Sequence, residues 1–102
     1  MKINFERSGG FAGLRTAATF DTESLPSEES RRLQEELERA RFFDLPAKLD
    51  SPAGGADRFE YKITVEDKGR RHIVEFGEAA APESLQPLIQ RLSDLARSQR
   101  GQ

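Results

Sequence analysis

The stretch "RFEYKITVEDKGRRHIVEF", residues 58–76, leaves this chain the least conformational freedom. Phe59, Tyr61, Ile63 and Val65 alternate with polar residues, and after "DKGR" His72, Val74 and Phe76 alternate back. A period of two is that of a half-buried strand, and two such runs around a glycine-containing turn predict an antiparallel hairpin. With Lys68 and Gly69 at the tip, one face pairs Val65 with His72, Ile63 with Val74 and Tyr61 with Phe76. The other face pairs Glu66 with Arg71 and Lys62 with Glu75, so apolar pattern and charge choose the same register. Such a hairpin has one apolar face that the rest of the chain must cover.

The remaining segments can do so. "KINFERS" sets Ile3 and Phe5 against Lys2, Asn4 and Glu6, and "LRTAATFD" puts Leu14, Thr16, Ala18 and Phe20 on one side, which predicts a first hairpin around Gly9–Gly13. A helix follows in "SEESRRLQEELERA": Ser27 is placed to cap it, Glu28 and Glu29 suit the positive end of its dipole, and Leu33, Leu37 and Ala40 form a thin apolar stripe. Glu28 with Arg32 and Glu35 with Arg39 are acid-first pairs four apart, each worth about 0.2–0.5 kcal/mol, which support a solvated helix face. Prolines and paired glycines make Asp44 to Asp57 a long irregular connection. Leu85, Leu88, Ile89, Leu92, Leu95 and Ala96 then mark a second helix, with Pro87 in its first turn if Ser84 is the cap.

The expected fold is therefore α+β, a two-layer sandwich: a four-stranded antiparallel sheet with both helices on one face, in the order ββαββα. If every connection reverses direction, loops 9–13, 44–57 and 77–83 gather at one end of the sheet and the turn 67–70 lies at the other. Residues 1–96 are expected to form one domain and 97–102 a frayed tail.

Composition narrows the function classes. Sixteen basic residues against 18 acidic ones give a net charge of -2, with no basic footprint for nucleic acid or an anionic membrane. There is no cysteine, hence no disulfide and no thiol chemistry. The opening "MKINFERSGG" has no apolar run of signal-peptide length, and a cytoplasmic location is expected. The single histidine, His72, falls on the inner face of a strand, where a partly buried structural role is the simpler reading. No ligand spacing for a metal and no nucleophile motif is present. "GGFAG" is neither a dinucleotide fingerprint nor a Walker sequence, and a strand rather than a helix follows it, so the phosphate reading fails on context. Hairpin geometry accounts for its glycines. It does not account for Phe11, which either folds back onto the sheet edge or stays exposed for a partner. Phe42, Phe43 and Leu45 are expected to fold over the end of the sheet. Asp57 and Arg58 either form a local salt bridge or, for Arg58, meet a partner.

"RSGGFAG", "FFDLP", "ADRFEYKITVED", "RRHIVEF" and "AAPESLQPL", in this order, resemble the emfourin family, small bacterial protein inhibitors of protealysin and related thermolysin-like zinc metalloproteases. The likeness runs from about Lys2 to Leu95. "KLDSPAGG" and the tail after Ala96 lie outside it. The resemblance implies a cytoplasmic, non-enzymatic protein without a cofactor, monomeric when free, that blocks the active-site cleft of such a protease. It implies a protease-binding set of Ser8, Gly9, Gly10, Phe11, Ala12 and Gly13, with Asp57 and Arg58 beside it. Phe11 would fill the pocket these enzymes keep for a bulky apolar side chain after the scissile bond. Whether Asp57 or a Gly-loop carbonyl approaches the enzyme's metal, or the cleft is simply occluded, is left open. The competing expectation is an adaptor module that binds another protein through the same end or through the solvated sheet face, where Glu60, Lys62 and Thr64 point outward.

Overall fold

The computed structural model describes residues 1–9, 14–49 and 59–100 of the chain. The central hairpin forms in the expected register: β4 (Phe59–Asp67) and β5 (Arg70–Gly77) pair Val65 with His72, Ile63 with Val74, Tyr61 with Phe76, Glu66 with Arg71 and Lys62 with Glu75. Its tip places Lys68 at φ 50° and Gly69 at φ 81°. Both central residues at positive φ meet the demand of a type I′ turn, whose right-handed twist matches that of the strands. Lys68 is a poor residue for this conformation. Replacing it with asparagine is expected to raise unfolding free energy by about 0.5–1 kcal/mol, measurable by urea denaturation at neutral pH.

The first hairpin, β1 (Lys2–Gly9) and β2 (Leu14–Asp21), joins antiparallel to β4 through β1. The expected four-stranded antiparallel sheet needs correction here. The sheet is mixed and five-stranded, in the order β2-β1-β4-β5-β3, because β3 (Lys48–Leu49) lies parallel to β5 at the edge. Glu75 N–H donates to Ala47 O at 2.8 Å just before it, so the long connection partly covers an edge that β5 would otherwise leave unpaired.

Two helices, α1 (Ser27–Arg39) and α2 (Gln86–Arg100), cover one face. Ile3, Phe5, Ala18, Phe20, Ile63, Val65, Val74 and Phe76 from the strands meet Leu33, Leu37, Leu85, Leu88, Ile89, Leu92 and Ala96 from the helical side in a single core. Both helix starts differ from the expected caps. α1 begins at Ser27 itself, with Pro26 in the cap position and no side-chain hydrogen bond there. Before α2 a 3-10 turn, Glu83–Leu85, takes up the residues around Ser84, and Pro87 still lies in the first helical turn, where a missing N–H is harmless. α2 continues to Arg100, so residues 97–100 of the expected tail are helical. No described helix is long and apolar enough to cross a membrane.

The path of α1 also departs from expectation. It delivers the chain to the turn end of the sheet, not to the opposite end. There the 3-10 turn Phe42–Asp44 buries Phe42 edge-on against His72, and the Arg70 guanidinium lies over the Phe43 ring, 4.2 Å from its centroid. His72 Nε2–H donates to Leu45 O at 2.7 Å. The single histidine is thus half-buried and tied to a carbonyl, the structural role that its inward strand position implied.

Candidate functional site

Strand direction decides where the variable segments sit. β1 ends at Gly9, which pairs with both Leu14 of β2 and Phe59 of β4. β5 ends at Gly77, next to Glu60, and β3 ends at Leu49, beside Phe76. The chain therefore leaves β1 into residues 10–13 and leaves β3 into residues 50–58 at the same end of the sheet, and it re-enters β2 and β4 there. The 3-10 turn Glu78–Ala80 follows β5 at this end as well. The turn at Lys68 and Gly69 marks the opposite end. Of the three expected loops, 9–13 and 77–83 start at the same end. Segment 44–57 is divided, since Asp44 and Leu45 lie by the turn and only the part beyond β3 starts from the loop end.

Of the residues that the resemblance nominated, two are described. Ser8 is exposed on the open face of the sheet, flanked in register by Arg15 and Glu60. Gly9 lies at φ 114°, a conformation that side chains rarely tolerate, so glycine is required where β1 turns into the loop. Gly10, Phe11, Ala12, Gly13, Asp57 and Arg58 lie outside the described residues.

The frame around those segments is electrostatically ordered. On the open face Glu6, Lys62, Glu75 and Lys48 follow one another across β1, β4, β5 and β3 in alternating sign. Arg15 pairs with Glu6 at the side of this row. Together with Ser8 and Glu60 these groups line a shallow polar groove of about 670 Å³. On the helix-covered face Tyr61 stacks on Phe76 at 5.3 Å, and the Arg7 guanidinium lies over Phe59, 5.2 Å from the ring centroid. Among the described residues no group of His, Asp and Glu side chains converges to hold a metal ion. What this end offers chemically is a rigid platform. Gly9, Leu14 and Phe59, from which segments 10–13 and 50–58 depart or return, are fixed in register on neighbouring strands.

A family model, Emfourin, matches residues 5–93. The chain belongs to the emfourin family. The match spans both hairpins, α1 and the first half of α2, so in this emfourin it includes segments 10–13 and 50–58 and their strand anchors. No curated protein and no solved structure matches the chain. Arg7 and Arg15, which bracket the Gly-rich segment of this emfourin, were not among the residues expected at the site. Their signal in the sequence is the arginine at either flank of "RSGGFAGLR".

Proposed function

We propose that this emfourin inhibits protealysin-type, thermolysin-like zinc metalloproteases by setting residues 8–13, and beside them 57 and 58, into the active-site cleft. Family membership supports the class of partner. The observation that carries the mode of action is the departure of segments 10–13 and 50–58 from one end of the sheet, on strands paired through Gly9 and Phe59. Cleft blocking of this kind needs no nucleophile, no cofactor and no metal of the inhibitor's own. In this reading Phe11 fills the apolar pocket that receives the residue after the scissile bond, and the glycines around it let backbone approach the enzyme closely.

The test is titration of the purified protein into a protealysin-like enzyme or thermolysin, following cleavage of a short peptide at fixed zinc and calcium. Stoichiometric loss of activity, not relieved by added zinc, is the expected result, since an occluding protein is not a chelator. Full activity across several such enzymes at micromolar protein would overturn the proposal. Phe11→Ala is expected to raise the inhibition constant by about tenfold, as truncation of an aromatic anchor does, without moving the thermal midpoint. Retained inhibition by that variant would remove Phe11 from the pocket. A parallel fall in midpoint would make it part of the core.

A further inference from the structure

We infer that Arg7 is a recognition residue at the loop end of the sheet, a cation held against Phe59 to meet a carboxylate of the partner protein beside its cleft; the inference rests on the inhibitor reading above. Gly9 stands opposite Phe59 in the β1–β4 register and carries no side chain, which leaves the Phe59 ring uncovered on that side. Arg7, two residues earlier on the same face, reaches across diagonally and lays its guanidinium over the ring. A cation over an aromatic face is attracted by the ring quadrupole, and its plane is fixed while its N–H donors at the rim stay available. Less side-chain freedom is then lost when a partner is met.

Arg7 differs in this from the other arginines with comparable surroundings. Arg15, on the opposite face of the same hairpin, is engaged by Glu6. Arg70 lies on Phe43 in the same manner, yet Asp44 and Asp67 line the groove that it borders. Arg7 makes no side-chain hydrogen bond or ion pair among the described residues, and its register neighbours Thr16 and Tyr61 bear no charge. A preoriented fork of N–H donors with no acid engaged among the described residues matches a carboxylate, which guanidinium binds through two parallel hydrogen bonds.

The experiment compares wild type, Arg7→Gln and Arg7→Lys as inhibitors of one protealysin-like enzyme at about 20 mM and about 500 mM salt, with thermal melts of each protein. Arg7→Gln is expected to weaken inhibition about tenfold at low salt, chiefly by slower association, with the gap closing at high salt and the melt unchanged. Arg7→Lys, which keeps the charge but not the fork, is expected to fall between the two. Equality of Arg7→Gln with wild type at low salt, a gap that persists at high salt, or Arg7→Lys no better than Arg7→Gln would each overturn the inference while leaving the inhibitor reading intact. A wild-type protein that leaves every such enzyme untouched would overturn both.

Discussion

Phe5→Ala is expected to lower the unfolding free energy by about 3–5 kcal/mol and, in a domain of this size, the thermal midpoint by roughly 15–30 °C. Phe5 is fully buried in β1, between β2 and β4, with Ala18 and Ile63 as its cross-strand partners. Its ring lies 6.1 Å from that of Tyr61, so truncation removes apolar contact and an aromatic neighbour at once. The helices above it are anchored by their own rows of leucines and cannot collapse far into the space left behind, which places the expected loss at the upper part of the usual range. Chemical denaturation with an unchanged slope is the appropriate measurement. A loss below about 1 kcal/mol would show that the sheet and helices do not close over this position as described.

β1 also carries Arg7, Ser8 and Gly9 to the loop end, so core positions and the proposed recognition end occupy different halves of one strand. Phe5 and Ile3 hold its first half in the core, and its last residues emerge beside β4 as the frame for segment 10–13. Variants in the core and variants at the loop end should therefore separate in a plot of inhibition against midpoint. Core changes should lower the midpoint, with inhibition preserved at temperatures where the fold persists. Loop-end changes should move inhibition alone.

The parts of this fold that could be read from sequence are those with a repeated physical signal. In β4 and β5 the alternation and the opposite charges specify one register, and the structure has it. In α2 the spacing of Leu88, Ile89, Leu92 and Ala96, continued from Leu85 in the turn before it, specifies the buried stripe, because 3.6 residues per turn permit only one face. β3 had no such signal: Lys48 and Leu49 are too few to show a period, and their pairing is dictated by the edge of β5, far along the chain. The path of α1 was equally invisible, since its end is set by Phe42 and Phe43 finding His72 and Arg70, contacts made across layers. At the candidate site, the demand for positive φ among the hairpin glycines was legible, and Gly9 meets it. The Arg7–Phe59 contact was not, because it depends on how the first hairpin docks beside the second.

The ion pairs that tie α1 to α2 lead to the other large expected effect. Arg91 Nε–H donates to Glu36 Oε1 at 2.9 Å, and Arg91 also lies 3.6 Å from Glu29. The hydrogen bond to Glu36 raises the Arg91 guanidinium above its ordinary pKa, and burial offsets part of that effect. A cation whose folded pKa is raised stabilises the fold at every pH below its unfolded value, so this contribution is constant through the neutral range and is lost only in strong alkali. Glu36 is 14% exposed, and its Oε2 is buried without a hydrogen-bond partner among the described residues. Arg91→Met keeps an unbranched apolar stem in place of the arginine's but strips Glu36 of its cation. The loss is expected to be about 2–4 kcal/mol, slightly below that for a fully buried pair because both groups retain some contact with water. Glu36→Leu combined with Arg91→Met removes both charges and is expected to recover most of the lost stability, because an apolar bridge between helices has no desolvation to repay. A double-mutant cycle by urea denaturation measures the coupling directly. If the double variant is as unstable as the sum of the singles, the pair contributes through packing of the two stems and not through charge.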